Sequence, residues 1–338
     1  VEQVTGVAEG VVAQIGDILM SSRPAAFMIG LGLQKSMQGA EAARAVCLLP
    51  ALLGQHRGFH YSNAKGLSVD WSYINGGRLS GHRGSLVSQV GIGKRLAAGE
   101  FKLVYVMGSN PAVTLPNQSA VRRGLDREDV FVVVHDTHWS ETAERADVVL
   151  PAPTFLEKRD VCLSDHHPYC RLSEKAIQPL GQSRHEIQVM QQLAKQLGLE
   201  DRWLYEDPWA ALEKTLEGTF KEGGLKNIIA GEVLETKLRP KAVYPTPSGK
   251  IEFAAARSEG EVTPLPIQHP MPDAASGFIL LNSATTNYTH SQFTDVYGPI
   301  PQVVWIHPED ARRLDIEGDD VVTLHNALAE VTLHAKIT

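Results

Sequence analysis

Two short stretches carry side chains that could grip a ligand. Asn110 lies in Gly108-Ser-Asn-Pro111, and Asp136 closes the apolar run Val130-Phe-Val-Val-Val-His-Asp136. A carboxamide offers both a donor and an acceptor, Gly108 leaves the backbone approachable, and Pro111 fixes the direction of exit. The same four residues also make an ordinary turn. A strand-end carboxylate such as Asp136 can accept from two adjacent N–H groups, the pattern guanine presents at N1 and N2, or it can cap the next segment. Gly30-Leu-Gly32 suits a backbone that closely approaches a phosphate, or a plain tight turn. Lys158, beside Glu157, can reach a phosphate or form a surface ion pair; Glu186 can accept from a ligand or favour a helix N-terminus. From Ser283 to Gln292 the chain is dense in hydroxyls and amides between two apolar segments, which suits a polyoxygenated ligand.

Other chemistry is poorly supported. There is no GxSxG elbow, no GxxxxGK[ST] loop, no HExxH and no full GxGxxG after the first apolar run. That last absence, with no acidic residue about twenty positions on, counts against a nicotinamide or flavin dehydrogenase. Three cysteines, Cys47, Cys162 and Cys170, are too few and too oddly spaced for a disulfide framework or an iron-sulfur cluster. Cys162 and Cys170 flank His166 and His167 at a spacing that matches no common zinc motif. A net charge of −7 over 338 residues opposes a nucleic-acid surface, and no apolar run approaches 18 residues, so no membrane insertion is expected. The chain opens on Val1 and closes in a strand-like run to Thr338, so both ends read as cut from something longer; a cytoplasmic location is expected, with any targeting segment upstream.

The elements needed to position these residues follow from periodicity. Val7, Val11, Ile15 and Ile18 form one stripe of a helix ending near Ser21, followed by a buried strand Ala25–Ile29, the glycine turn, and a helix over 40–53. The pattern repeats: a helix over Leu86–Ala98, strand Leu103–Met107, a helix over Asn117–Leu125, strand Val130–Val134, a short helix over Glu141–Arg145, strand Asp147–Leu150, and a helix over Glu186–Leu197 that turns Met190, Leu193, Ala194 and Leu197 inward. Such alternation predicts an α/β fold with a doubly wound, mostly parallel, Rossmann-like sheet whose ligands bind at the carboxyl ends of the strands. A helix then ends near Leu216, and the prolines between Pro264 and Pro272 mark a linker. Phe278–Leu281, Val303–Ile306 and Val321–Leu324 read as strands, with a helix over Pro308–Leu314. The domains predicted are 1–200, a linker region 201–275, and 276–338.

Several segments taken in order resemble the dimethyl sulfoxide reductase family of molybdopterin oxidoreductases. Gly108-Ser-Asn-Pro-Ala112, Val134-His-Asp136, Glu141-Thr-Ala143, and Ala146-Asp-Val-Val-Leu-Pro151 with Glu157-Lys158 resemble the third domain of enzymes carrying bis-molybdopterin guanine dinucleotide. Pro245-Thr-Pro-Ser-Gly-Lys-Ile-Glu-Phe253 is similar to the signature before that family's last domain. Trp305-Ile-His-Pro-Glu-Asp-Ala311 with Gly318-Asp319 resembles the start of its double-psi β-barrel, here truncated.

The resemblance implies that Gly108, Asn110, Pro111, His135, Asp136, Thr142, Lys158 and Glu186 lie at one guanosine or its phosphates. The glycine turn Gly30, Gly32 and Gln34 is matched more loosely, and Glu186 stands where relatives often have Asp. The loop with Thr285, Thr289, His290, Ser291 and Gln292 falls where the last domain meets a pterin. The family's metal ligand and its 4Fe-4S cysteines belong to segments before Val1, so this chain is expected to supply no catalytic or metal-ligating residue and to be inactive alone. When whole, the protein is expected to move two electrons, often with an oxygen atom, at Mo or W on a small-molecule substrate, possibly with electron-transfer subunits. A non-catalytic subunit that keeps the fold is the alternative of a different class. Asp165–Arg171 is expected to line a substrate funnel.

Overall fold

The computed structural model describes residues 2–33, 36, 39–55, 59–61, 69–81, 84–164, 167–237, 244, 246–256, 262–263, 266 and 277–338. The chain divides into two compact units: Val1–Leu79 with Val161–Ser173 and Asp207–Ile279, and Ser80–Asp160 with Glu174–Glu206 and Leu280–Thr338.

In the first unit, strands β1 (Phe27–Ile29) and β2 (Phe59–Tyr61) pair in parallel, with helix Gly39–Leu52 between them in sequence. This is the strand-helix-strand unit expected from the alternating pattern.

The second unit holds the main parallel sheet, β3 (Leu103–Met107), β4 (Phe131–Asp136) and β5 (Val148–Pro151), in the order β3-β4-β5. Its β-branched runs bury Val106, Val132 and Val134 with Val121 and Leu125 of helix Gln118–Leu125 and Leu96 of helix Ile92–Ala97. Glycine sets how closely those two helices approach: a Cβ on Gly124 would lie 2.4 Å from Leu96 Cβ. Only a residue without a side chain fits there.

A three-stranded sheet β6 (Asp160–Cys162), β7 (Tyr169–Ser173) and β8 (Leu234–Glu235) follows, with β7 and β8 antiparallel; Cys170, Leu234 and Ile228 pack there in the first unit. A short antiparallel pair joins β9 (Ala255–Ala256) and β10 (Val262–Thr263). In the second unit, β13 (Glu330–Ile337) pairs in parallel with β11 (Val303–Ile306) and antiparallel with β12 (Val321–His325). Helix Pro308–Arg313 sits between β11 and β12 in sequence, with Pro308 in its first turn and the His307 ring accepting from Glu309 N–H. No closed barrel forms among the described residues.

The fold is therefore mixed α/β with a parallel sheet, and several boundaries differ from expectation. The helix predicted over Leu86–Ala98 starts only at Ile92, because Ser88 and Gly91 turn the chain and leave Leu86 and Val90 in water. Phe278–Leu281 is not a strand and stays exposed. In helix Glu186–Gln196 only Ala194 is buried, while Leu193 and Leu197 face solvent. Helix Glu9–Ser21 forms, yet the stripe of Val11, Ile15 and Ile18 covers nothing among the described residues. Strands β6 to β8 were not foreseen. No described helix is long and apolar enough to cross a membrane.

Candidate functional site

Gly108 begins the turn after β3 at φ 55°, a left-handed conformation natural to glycine, and its N–H donates to the His135 carbonyl at 3.0 Å. This bond ties the end of β3 to the end of β4, so the Asn110 turn and Asp136 leave the sheet from adjacent strands. Pro111 starts the short helix Pro111–Thr114, whose first position does not need an N–H.

The Asn110 carboxamide is saturated by protein. Its Nδ2 donates to Glu141 Oε2 at 3.0 Å and to Ser291 Oγ at 3.2 Å. Its Oδ1 accepts from the Thr142 hydroxyl at 2.7 Å and the Thr142 N–H at 3.3 Å. Thr142 is fully buried and also accepts from Ala112 N–H at 3.1 Å. Both residues were expected at a ligand; the structure makes them the joint of three segments, and an amide has no further conventional hydrogen-bonding capacity once two donors and two lone pairs are used. The bond from Asn110 holds the Glu141 carboxyl below the ordinary range, aided by its own backbone N–H and by Arg122 and Arg145 against the cost of burial.

His135 likewise turns inward. At 0% exposure it receives Tyr105 Oη at 3.2 Å from Nδ1 and sets Nε2 3.1 Å from the Arg184 carbonyl, leaving no ring nitrogen for a ligand. A lone histidine beside an aspartate reads as a ligand by type; here it lies on the face of β4 opposite Val132 and Val134 and is covered by Tyr105 and the run that ends at Arg184. Burial, and then the charge of Glu186, raise the Tyr105 phenol.

Asp136 is half-buried. Its Oδ1 accepts from Thr137 N–H at 2.7 Å, the local capping contact that competes with a ligand role, while Oδ2 has no partner among the described residues. Lys158 and Glu186 meet each other at 2.9 Å. Burial pushes the Glu186 carboxyl up, but the bond and charge of Lys158, its own N–H and His185 together hold it below the ordinary range. Beside Lys158, Glu157 is not the exposed half of an ion pair: it is buried and accepts from Thr154 and Leu180 N–H.

The loop from 283 to 292 is built differently. Thr289 and Gln292 close a tight turn through Gln292 N–H to Thr289 O at 3.0 Å, with His290 at φ 56°. Tyr288 anchors it by reaching the carbonyls of Tyr297, Gly298 and Pro299. The side chains of Thr285, Thr289, His290 and Gln292 are exposed and take no side-chain partner among the described residues. Ser291 alone is held, through Asn110.

Gly30 and Gly32 belong to the other unit, where a Cβ at either would meet nothing within 4 Å. Gln34, Asp165 and His166 lie outside the described residues. No cluster of metal-ligating side chains occurs among the described residues. An open depression of about 400 Å³ along helix Glu186–Gln196 is lined by Arg184, Gln188, Gln191, Gln192, Lys195 and Tyr205, none of them expected from sequence. Sequence reasoning also missed Tyr105 as the partner of His135.

The chain as a whole is similar to known proteins. The family model described as molybdopterin oxidoreductase matches residues 7–196, and that of the molydopterin dinucleotide binding domain matches residues 278–338. The probable oxidoreductase YoaE of Bacillus subtilis (strain 168) is 26% identical across 100% of this chain and 52% of the relative. The F420-dependent formate dehydrogenase subunit alpha of Methanocaldococcus jannaschii is 29% identical across 70% of this chain and 36% of the relative. The solved structure of acetylene hydratase from Pelobacter acetylenicus matches with a TM-score of 0.75 at 19% identity, covering 100% of this chain and 55% of that one, a likeness of fold. The chain spans about half the length, or less, of these proteins.

Proposed function

Given that the chain belongs to the molybdopterin oxidoreductases, in the dimethyl sulfoxide reductase family, we propose that it holds molybdopterin guanine dinucleotide in a molybdenum or tungsten enzyme. The observation that carries this reading is the 3.2 Å bond from Asn110 to Ser291, which fastens the polar loop of residues 283–292 to the carboxyl edge of the parallel sheet. The two regions able to meet a dinucleotide are thereby held together in one unit.

The residues fit the group. Gly108 leaves open space where a Cβ would stand, Asp136 keeps an unengaged carboxylate oxygen, and the loop presents hydroxyl, amide and imidazole groups to solvent. In this reading Asp136 accepts from guanine, Lys158 neutralises phosphate with Glu186 steadying it, and Thr285, Thr289, His290, Ser291 and Gln292 meet a pterin. Asn110, Thr142 and His135 act as scaffold, and Pro111 directs the chain. Gly30, Gly32 and Gln34 are kept as contacts of a second, looser kind. When bound, the cofactor supplies a metal that changes oxidation state by two electrons; this chain orients and screens it.

The finer assignments belong to the same proposal: cofactor-binding domains over 1–200 and 276–338 joined by 201–275, the latter the start of a double-psi barrel, with metal ligand and 4Fe-4S cluster supplied by further sequence. The substrate is a small molecule, electron-transfer subunits are expected partners, and a cytoplasmic site is retained. The family assignment displaces the nicotinamide dehydrogenase alternative.

The test is analysis of the full-length protein for metal and for nucleotide released by acid hydrolysis. Mo or W with about two GMP per polypeptide is expected for the bis-dinucleotide form. Neither metal nor GMP would leave the non-catalytic subunit as the answer, and NAD or flavin would sink the reading altogether.

A further inference from the structure

Residues 180–184 run past the carboxyl edge of the sheet, and two buried ionisable side chains hold the ends of that run. Glu157, 5% exposed, accepts from Leu180 N–H at 2.6 Å through Oε1 and from Thr154 N–H at 2.7 Å through Oε2. His135 reaches the Arg184 carbonyl at 3.1 Å. That oxygen can only accept, so Nε2 carries a hydrogen, while Nδ1 shares a hydrogen bond with the Tyr105 hydroxyl. Between them, Arg184 N–H donates to the Pro151 carbonyl at 3.1 Å. Two residues past Arg184 comes Glu186, and one residue past Glu157 comes Lys158; those two meet at 2.9 Å.

A buried carboxylate is costly unless its oxygens are satisfied, and a residue serving only to fill space would be apolar. Glu157 is satisfied chiefly by two backbone N–H groups, one from each side of the gap it closes, with the Thr154 side chain adding to them. Its charge suits that task, because a carboxylate accepts at both oxygens whereas a neutral amide would turn its NH₂ toward one of the two donors.

We propose that Glu157 and His135 are positioning residues: they clamp residues 180–184 to the sheet edge and so set the Lys158–Glu186 pair at the anionic end of the bound dinucleotide. The inference rests on the proposed function for what the pair grips, but the clamp itself is a property of this chain. It also assigns roles to two side chains whose type alone suggested a ligand contact or a surface ion pair.

Hydrogen exchange on the full-length protein tests it, with the GMP content of the purified protein as the second readout. Glu157→Ala and His135→Phe should each speed exchange across residues 178–187 at least tenfold, leave the rest of the sheet protected, and lower GMP content. Glu157→Gln, which keeps one acceptor and is the safer variant for folding, should fall between wild type and Glu157→Ala. Unchanged exchange over 178–187 in Glu157→Gln, or acceleration spread evenly through the second unit, would overturn the clamp. Lys158→Ala separates the two ideas. If it leaves GMP content unchanged, the pair does not grip nucleotide and the functional assignment of Lys158 fails; if it lowers GMP content while a loosened Glu157→Gln does not, the positioning role fails.

Discussion

His135 and His290 sit in the same unit, and their surroundings give them opposite work. The first is buried at the end of β4 with both ring nitrogens engaged; the second stands exposed in a left-handed turn with its ring open. The contrast extends to their neighbours. Around His135, the polar groups of Asn110, Thr142 and Glu157 are consumed by protein partners, whereas around His290 the side chains of Thr285, Thr289 and Gln292 wait unengaged. A polar side chain near a ligand site is thus of two kinds, and counting its remaining donors and lone pairs separates them.

Breaking the scaffold side should cost stability first. Asn110→Ala removes four hydrogen bonds and strands the buried Thr142 hydroxyl, so about 3 kcal/mol should be lost in denaturant unfolding of the second unit. A loss below about 0.5 kcal/mol would mean that Asn110 is poised for a ligand instead. Thr142→Val, close in shape, leaves Ala112 N–H and one lone pair of Asn110 without the hydroxyl and should cost about 2 kcal/mol.

Acid sharpens the comparison. The carboxyls of Glu141, Glu157 and Glu186 are all held below the ordinary glutamate range in the fold, so their contribution is present above that range and lost as pH falls through the depressed values. Stability should decline as pH falls below the ordinary carboxylate range, and Glu186→Gln should flatten that decline as followed by circular dichroism. An identical profile in the variant would show that the Lys158–Glu186 pair adds nothing to the pH dependence.

On the open side, Thr289→Ala combined with Gln292→Ala should shift unfolding by less than about 0.5 kcal/mol while lowering cofactor content several-fold. Lost stability with unchanged cofactor would reverse the assignment of the loop. The smallest effect concerns a thiol of the other unit. Burial, and then Cys162, push Cys170 up to about 11, so at pH 8 an alkylating reagent should spare it and modify the exposed Cys162.

Much of this was legible in residue types. The unbroken β-branched run of β4 and the glycine-bounded turn of β3 gave the parallel sheet, and the order of motifs gave the family. What remained hidden depended on distance along the chain. Nothing local to Asn110 reveals that its amide is matched by Glu141 and Thr142 thirty residues on and by Ser291 much later. Glu157 reads as half of a surface ion pair because its main partners are backbone N–H groups, which every residue type but proline offers. Composition misled at Phe278–Leu281, which has the residues of a strand yet is not one, because strand preference depends on the neighbours a segment packs against.

The amide of Asn110 also sets a timetable. Glu141 and Thr142 leave the ribosome soon after Asn110, whereas Ser291 lies 181 residues further on, roughly 10–35 s later at about 5–20 residues per second. The sheet edge can thus assemble early in translation and wait with one amide hydrogen bonded only to water. The loop that carries Ser291 docks last, so the joint at Asn110 closes only after synthesis of most of the second unit.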